Sequence, residues 1–156
     1  MDLFTALREE NIAAVRQLLE VDPSAANTAD ARGFTPLVMG TYGGNKEVAS
    51  VLIQYGAEVN GQDASGNTAL MGVCFKGYHE VAALLIEHGA AVNTQNGVGA
   101  TALIYAVTFG HVDMVKLLVK HGADSTITDE KGLSAVDHAK RIGHTEMLEL
   151  MQQSPS

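Results

Sequence analysis

Apolar residues recur along this chain with the spacing of short amphipathic helices. Between Ile12 and Glu20, the side chains of Val15, Leu18 and Leu19 fall on one face of a helix with about 3.6 residues per turn. Further along, apolar residues return every 33 residues in two series. The two series are Leu37, Leu70, Leu103 and Val136, and Leu52, Leu85 and Leu118. This pattern predicts pairs of short helices that repeat at one fixed offset.

Turn and cap residues follow the same offset. Glycine recurs in three series: Gly33, Gly66, Gly99 and Gly132; Gly44, Gly77, Gly110 and Gly143; and Gly56, Gly89 and Gly122. The first series closes a turn that begins with Asp or Asn, and we expect positive φ there. The second and third series are expected to end the two helices of each pair. Hydroxyls that can cap the first helix lie two residues after the first series, at Thr35, Thr68, Thr101 and Ser134.

These series divide the chain into five units. An N-terminal unit covers 1–29 and lacks the first turn, three complete units cover 30–62, 63–95 and 96–128, and a C-terminal unit covers 129–156. Asp2 is expected to cap the first helix, and residues 154–156 are expected to fray. A single unit cannot bury both sides of its two helices, so neighbouring units must stack into one domain.

Two of the complete units can be read against known repeats. Residues 30–60 read DARGFTPLVMGTYGGNKEVASVLIQYGAEVN, and residues 96–124 read NGVGATALIYAVTFGHVDMVKLLVKHGAD. The unit resembles the ankyrin repeat, whose pattern is D-x-x-G-x-T-P-L-H-x-A-A-x-x-G-H-x-x-V-V-x-L-L-L-x-x-G-A-x-x-N. The resemblance covers nearly the whole chain and implies an all-α ankyrin-repeat solenoid of helix-turn-helix units with short β-hairpin or turn connections.

The chain departs from the ankyrin pattern at the first histidine of that pattern. The histidine of TPLH is replaced in the four units by Val38, Met71, Ile104 and Asp137. In the family this side chain ties neighbouring repeats through hydrogen bonds. We therefore expect apolar packing to take over that role here.

Composition narrows the possible partners and the compartment. The 156 residues carry a formal net charge of −8 with only 10 Lys and Arg, which argues against nucleic acid as the partner. A single cysteine, Cys74, cannot form an internal disulfide and favours a reducing compartment. Neither a signal peptide nor a membrane-spanning stretch is visible in the sequence. We expect a cytoplasmic monomer.

The six histidines and Cys74 could in principle support chemistry, but their positions favour structural roles. Structural or surface roles are expected for the four that lie in repeated columns, His88, His111, His121 and His144. His79 and His138 lie outside these columns, and neither has a Cys or His at ligand spacing. Cys74 falls in a column of small apolar residues and is expected to be buried and inert. The sequence thus predicts no metal site, no cofactor and no enzyme activity.

The turns and one side of each first helix would line a concave groove if the units stack as the resemblance implies. Five of the eight aromatic residues fall on this face, more than packing alone would place there. Tyr and Phe give large contact area at low entropic cost and are typical of protein-binding surfaces. The candidate partner-binding residues are Arg32, Phe34, Met39, Tyr42, Gly72, Phe75, Lys76, Tyr105, Phe109, Lys131 and Arg141. In the alternative, Phe75 and Phe109 only pack on adjacent repeats.

The first helices also contain glycines, which cost about 1 kcal/mol each relative to alanine. Gly40 is expected to allow close helix packing. For Gly43 and Gly72, close packing is one explanation and a hollow beside Tyr42 and Phe75 for a partner side chain is the other.

The function that this reasoning favours is non-catalytic binding of an unidentified protein through the groove, as an adaptor or as an inhibitor. A small-molecule-binding protein or an enzyme that uses the groove around Tyr105, His138 and Arg141 is the alternative. It would need a deep, enclosed pocket at those residues.

Overall fold

The computed structural model describes residues 1–152, which form ten α-helices and no β-strand. The expected fraying of residues 154–156 lies outside this range. The helices are Leu3–Arg8 (α1), Ile12–Val21 (α2), Pro36–Thr41 (α3), Lys46–Gln54 (α4), Ala69–Lys76 (α5), His79–Glu87 (α6), Ala102–Thr108 (α7), Val112–Lys120 (α8), Ala135–Ile142 (α9) and Thr145–Gln152 (α10). A 3₁₀ helix, Pro23–Asn27, follows α2.

The helices form two layers with the apolar core between them. Each odd-numbered helix contacts the next odd-numbered helix, each even-numbered helix contacts the next even-numbered one, and the two helices of each pair contact each other. Leucines at one offset of 33 residues are fully buried at the centre, namely Leu19, Leu52, Leu85 and Leu118. The predicted repeated helix pairs are confirmed. None of the helices in the described residues reaches the length and apolar character that a bilayer crossing requires.

The predicted N-caps start the odd-numbered helices. The Asp2 carboxylate accepts a hydrogen bond from the Thr5 N–H at 2.8 Å. The hydroxyls of Thr35, Thr68 and Thr101 accept from the N–H three residues on, at 3.0, 3.2 and 3.2 Å. Ser134 makes the same bond within a reciprocal capping box with Asp137. Each helix start is therefore encoded locally, by one side chain that satisfies an otherwise unpaired N–H.

The turns before these helices stack on one another. Gly66 and Gly99 have φ of +79° and +75°, and a Cβ on either would lie 2.9 Å from the backbone of the following turn. Both positions therefore require glycine for conformation and for space. Backbone hydrogen bonds of 2.9–3.1 Å join successive turns: Ala64 N–H to Gly33, Gly97 N–H to Ser65, and Glu130 N–H to Val98.

Three asparagines join successive repeats, at the end of the 3₁₀ helix or in the loops that follow the even-numbered helices and lead into the next turn. The Asn60 side chain donates to the Gly89 carbonyl oxygen at 3.1 Å and accepts from the Ala91 N–H at 2.7 Å. Asn27 and Asn93 make the same pair of bonds, 33 residues before and after. Each side chain pairs one carbonyl and one N–H of the next repeat, so the loops between repeats are held in register.

The expectation that apolar packing alone replaces the missing histidine was incomplete. Met71 and Ile104 are buried in that column and supply the expected packing. The asparagines add polar ties between repeats, and His111 Nε2 lies 3.0 Å from the Phe75 carbonyl oxygen of the preceding repeat. Backbone groups in the loops need hydrogen-bond partners that an apolar side chain cannot supply, so polar side chains remain at the junctions.

The glycines of the first helices differ in their surroundings. A Cβ on Gly40 would lie 2.8 Å from Leu52 Cδ1, which confirms close helix packing. Gly43 lies beyond the end of α3, so its prediction as a helix residue was wrong. An added Cβ there would lie 2.7 Å from Glu10 Oε1, which favours the close-packing alternative over the hollow. Gly72 lies within α5, and apart from its two chain neighbours and the backbone of its own helix, no described residue has an atom within 4 Å of an added Cβ.

Cys74 is fully buried in α5, as predicted. Burial raises the pKa of its thiol far above the ordinary value, because a thiolate in apolar surroundings loses its hydration. The thiol is therefore part of the core.

We expect Asn60→Ala to lower the free energy of unfolding by about 1–3 kcal/mol, since two hydrogen bonds of about 0.5–1.5 kcal/mol each are lost. Urea unfolding followed by circular dichroism measures this. Gln17→Ala, on the exposed side of α2, is the control and should stay within about 0.5 kcal/mol of the parent chain. A stability for Asn60→Ala equal to that of the control would show that the junction bonds contribute nothing.

The two helical glycines should respond oppositely to alanine. Gly72→Ala should raise stability by about 0.5–1 kcal/mol, because the site is open and alanine favours the helix. Gly40→Ala should lower it by about 1–3 kcal/mol, because the added methyl overpacks the core against Leu52. Thermal unfolding of both variants checks the pair. A loss of stability in Gly72→Ala would mean that the fold itself needs this glycine.

Candidate functional site: the inner-helix face

The candidate site is the face formed by the turns and by the exposed sides of α3, α5, α7 and α9, here called the inner-helix face. Three depressions lie along it. We call them the N-terminal, central and C-terminal depressions, and they divide most of the sequence-predicted residues among them.

The central depression brings together five of the predicted residues, Phe34, Tyr42, Gly72, Phe75 and Tyr105. It has a volume of about 270 Å³ and lies between α3 and α5. Gly72 leaves space where any other residue would place a side chain. Apart from Val38 and Met71 the remaining lining is polar, from Asp63, Asn67 and Thr68 of the adjoining turn. The depression is thus an apolar hollow with one polar side.

An aromatic cluster separates the central from the C-terminal depression. The Phe75 ring meets the Phe109 ring edge-on with centroids 4.5 Å apart, and meets Tyr105 in the same way at 6.2 Å. Phe75 and Phe109 nevertheless remain 41% and 48% exposed. The rings therefore pack across repeats and still present surface to solvent, and their role in binding a partner stays a prediction.

Tyr105 is fixed by a hydrogen-bond chain that sequence reasoning missed. Asn96 Nδ2 donates to the Tyr105 hydroxyl oxygen at 2.9 Å and to Asn67 Oδ1 at 2.7 Å. Asn96 replaces the aspartate that begins the other three turns, and an aspartate could not donate these bonds. The sequence signal for this chain was the replacement of Asp by Asn in one repeat. The Asn96 side chain holds Tyr105, and so the aromatic cluster, in place.

A cation stands at the edge of the central depression. Lys76 Nζ lies 4.6 Å from the centroid of the Tyr42 ring, in cation–π range. Tyr42 is 58% exposed, so this pair forms part of the accessible surface. Among residues 1–152, no carboxylate oxygen lies within 4.0 Å of the Lys76 ammonium.

The C-terminal depression, about 310 Å³, contains Tyr105, Phe109 and Lys131 together with the pair His138 and Asp129. His138 Nε2 lies 2.8 Å from Asp129 Oδ2. Partial burial raises the pKa of the Asp129 carboxyl, but hydrogen bonds from His138, Leu133 and Lys131 outweigh burial and hold that pKa below its usual range. Arg141 is exposed and does not line this depression, so Tyr105, His138 and Arg141 do not form one pocket.

The remaining predicted residues lie elsewhere on the face. Arg32 and Met39 line the N-terminal depression with Asp2, Arg8 and Phe4 of the first unit. The depression is therefore mixed in charge, and it is separate from the aromatic cluster. Nine of the eleven predicted residues thus line three separate depressions and do not form one site, and Lys76 and Arg141 lie outside all three linings.

Two of the four histidines in repeated columns make side-chain contacts that support the fold. His111 is engaged with the Phe75 carbonyl, and His144 Nδ1 accepts from the Met147 N–H at 3.3 Å at the start of α10. Within the part of the chain that the structure describes, no group of three or more His, Cys, Asp or Glu residues is placed to hold a metal ion.

Comparison with known families agrees with the repeated helix pairs. A family model described as ankyrin repeats (3 copies) matches residues 3–96, and one described as ankyrin repeats (many copies) matches residues 85–139. No curated protein matches the chain. The two family matches together cover most of the sequence and coincide with the helix pairs, stacked turns and glycine series described above, and the chain therefore belongs to the ankyrin-repeat family.

Proposed function

We propose that this chain binds a partner protein, without catalysis, through the central part of its inner-helix face. Ankyrin repeats are generally protein–protein interaction modules, and this fixes the class of function but not the surface or the partner. The observation that carries the proposal is the aromatic cluster, in which Phe75 and Phe109 stay exposed beside an open hollow.

Exposed aromatic rings in a fixed arrangement favour protein binding for a physical reason. A ring that is already held in place loses little conformational entropy when a partner covers it, and it offers a large apolar area. Tyr105 is held by Asn96, and Phe75 is held between Tyr105 and Phe109. The cluster is therefore preorganised, and covering it would gain most of the hydrophobic free energy that burial offers.

Charged residues at the margins of this surface would form a polar rim around the apolar centre. Arg32 lies beyond its N-terminal side, and Lys131 and Arg141 lie toward its C-terminal side. Charged rims around an apolar centre are typical of protein interfaces, where they guide association more than they add affinity. We propose that these residues, with Met39, form the outer contacts.

The proposed mode of action is occupancy. A chain that covers a partner's surface acts as an inhibitor, and one that presents a partner to another protein acts as an adaptor. We propose one of these roles for a monomer in the cytoplasm, where the buried thiol of Cys74 would stay reduced.

Replacing both phenylalanines should separate binding from folding. We expect Phe75→Ala with Phe109→Ala to reduce the proteins captured from a lysate of the source cell at least about tenfold, because aromatic anchors contribute most of the binding energy. Captured proteins are quantified by mass spectrometry, and circular dichroism confirms that the variant is folded. Val21→Ala, which truncates an exposed side chain at the end of α2, is the control and should capture the same proteins as the parent chain.

Retention of the same proteins by the folded double variant, in the amounts that the control retains, would contradict the proposal. Such a result would place the binding surface on the even-numbered helices or at the ends of the array.

A further inference from the structure

We infer that the partner segment carries a large apolar side chain, which enters the central depression at Gly72, and an aspartate or glutamate within about four residues of it, which pairs with Lys76. This inference rests on the proposed function and deepens it by naming the chemistry of the partner.

The shape of the central depression supports one side chain as its occupant. Apart from its chain neighbours Met71 and Val73 and the α5 backbone, no described residue has an atom within 4 Å of a Cβ built on Gly72. The volume of about 270 Å³ is below the roughly 300–1,000 Å³ of small-molecule sites. Phe34, Tyr42 and Phe75 surround this space with apolar surface. It therefore fits a single leucine, methionine or phenylalanine side chain better than a whole small molecule.

Lys76 lies next to the place where the partner's apolar side chain would enter. Gly72 and Lys76 are four residues apart on α5 and so lie on the same side of the helix, with about 5–6 Å between neighbouring side-chain positions. The Lys76 ammonium is held over the Tyr42 ring, which itself lines the depression. A partner that fills the hollow would thus bring its neighbouring residues within reach of this ammonium.

Within residues 1–152, no carboxylate forms an ion pair with Lys76. The helices α5 and α7 contain no Asp or Glu, although the chain has 18 acidic residues in all. The one carboxylate that lines the depression, Asp63, is 9% exposed, and its Oδ1 accepts from the Ser65 and Asn67 N–H groups at 2.9 Å. An acidic residue on the partner would supply the missing counter-charge, whereas a basic residue there would be repelled.

Selection from a library of short random displayed peptides tests the predicted motif. Peptides are selected on the parent chain alone, and Gly72→Leu, which fills the hollow, is used only afterwards to test the enriched peptides. We expect the enriched peptides to share one Leu, Met, Ile or Phe with an Asp or Glu within four residues. Gly72→Leu should lower the affinity of an enriched peptide at least about tenfold. Ser50→Leu, which introduces a leucine on the exposed side of α4, is the control and should leave that affinity within about twofold.

A cycle of two single changes isolates the charge pair. Lys76→Gln should lower the affinity for the acidic peptide about threefold, as expected for a partly exposed ion pair. For the same peptide with Asp→Asn or Glu→Gln, the Lys76→Gln change should lower the affinity less than about 1.5-fold. Lys120→Gln, which removes an exposed cation from α8, should weaken neither peptide. Fluorescence anisotropy at low and moderate salt measures all the affinities.

The outcomes separate the two proposals. If enriched peptides lose affinity with Phe75→Ala and Phe109→Ala but show neither an acidic preference nor a response to Lys76→Gln, the inference is overturned and the proposed function stands. If they bind Gly72→Leu as tightly as the parent chain, the hollow is not the anchor site and the inference is again overturned. If the phenylalanine changes also leave the affinity of these peptides unchanged, or if no peptide is enriched over a surface without protein, both proposals fail.

Discussion

The register of the first three junctions between repeats depends on three asparagine side chains, each of which joins one repeat to the next. Asn27, Asn60 and Asn93 use both ends of the amide, one on a carbonyl oxygen and one on an N–H of the following repeat. An isolated helix pair cannot bury its apolar sides, so stability in such an array comes from the interfaces between neighbours. The asparagines fix the register at which those interfaces form.

The asparagine bonds join loop backbone and do not use the side chains of the aromatic cluster. The core is closed by the buried leucines between the two layers, and the repeats are tied by the asparagines and the stacked turns. Phe75 and Phe109 can then remain about half exposed, and Gly72 can leave a hollow at a cost of about 1 kcal/mol in helix propensity.

How much the sequence predicts depends on the distance between the interacting residues. Helix starts at Thr68 or Ser134 could be predicted, because a cap contacts an N–H only three residues away. The role of Asn60 could not, since its partners at Gly89 and Ala91 lie in another repeat and its own segment is irregular. The face was predicted, but its division into three depressions depends on side-chain directions that periodicity does not specify.

Amide hydrogen exchange of the unmodified chain tests the central claim most directly, which is that fixed junctions hold the inner-helix face in one preformed arrangement. The N–H groups of Glu58, Ala91 and Asp124 lie in exposed loops and donate only to the junction asparagines. The account predicts that they exchange as slowly as amides of the buried helices, because they open only when a junction opens. Exchange at the rate of an unstructured loop would contradict it.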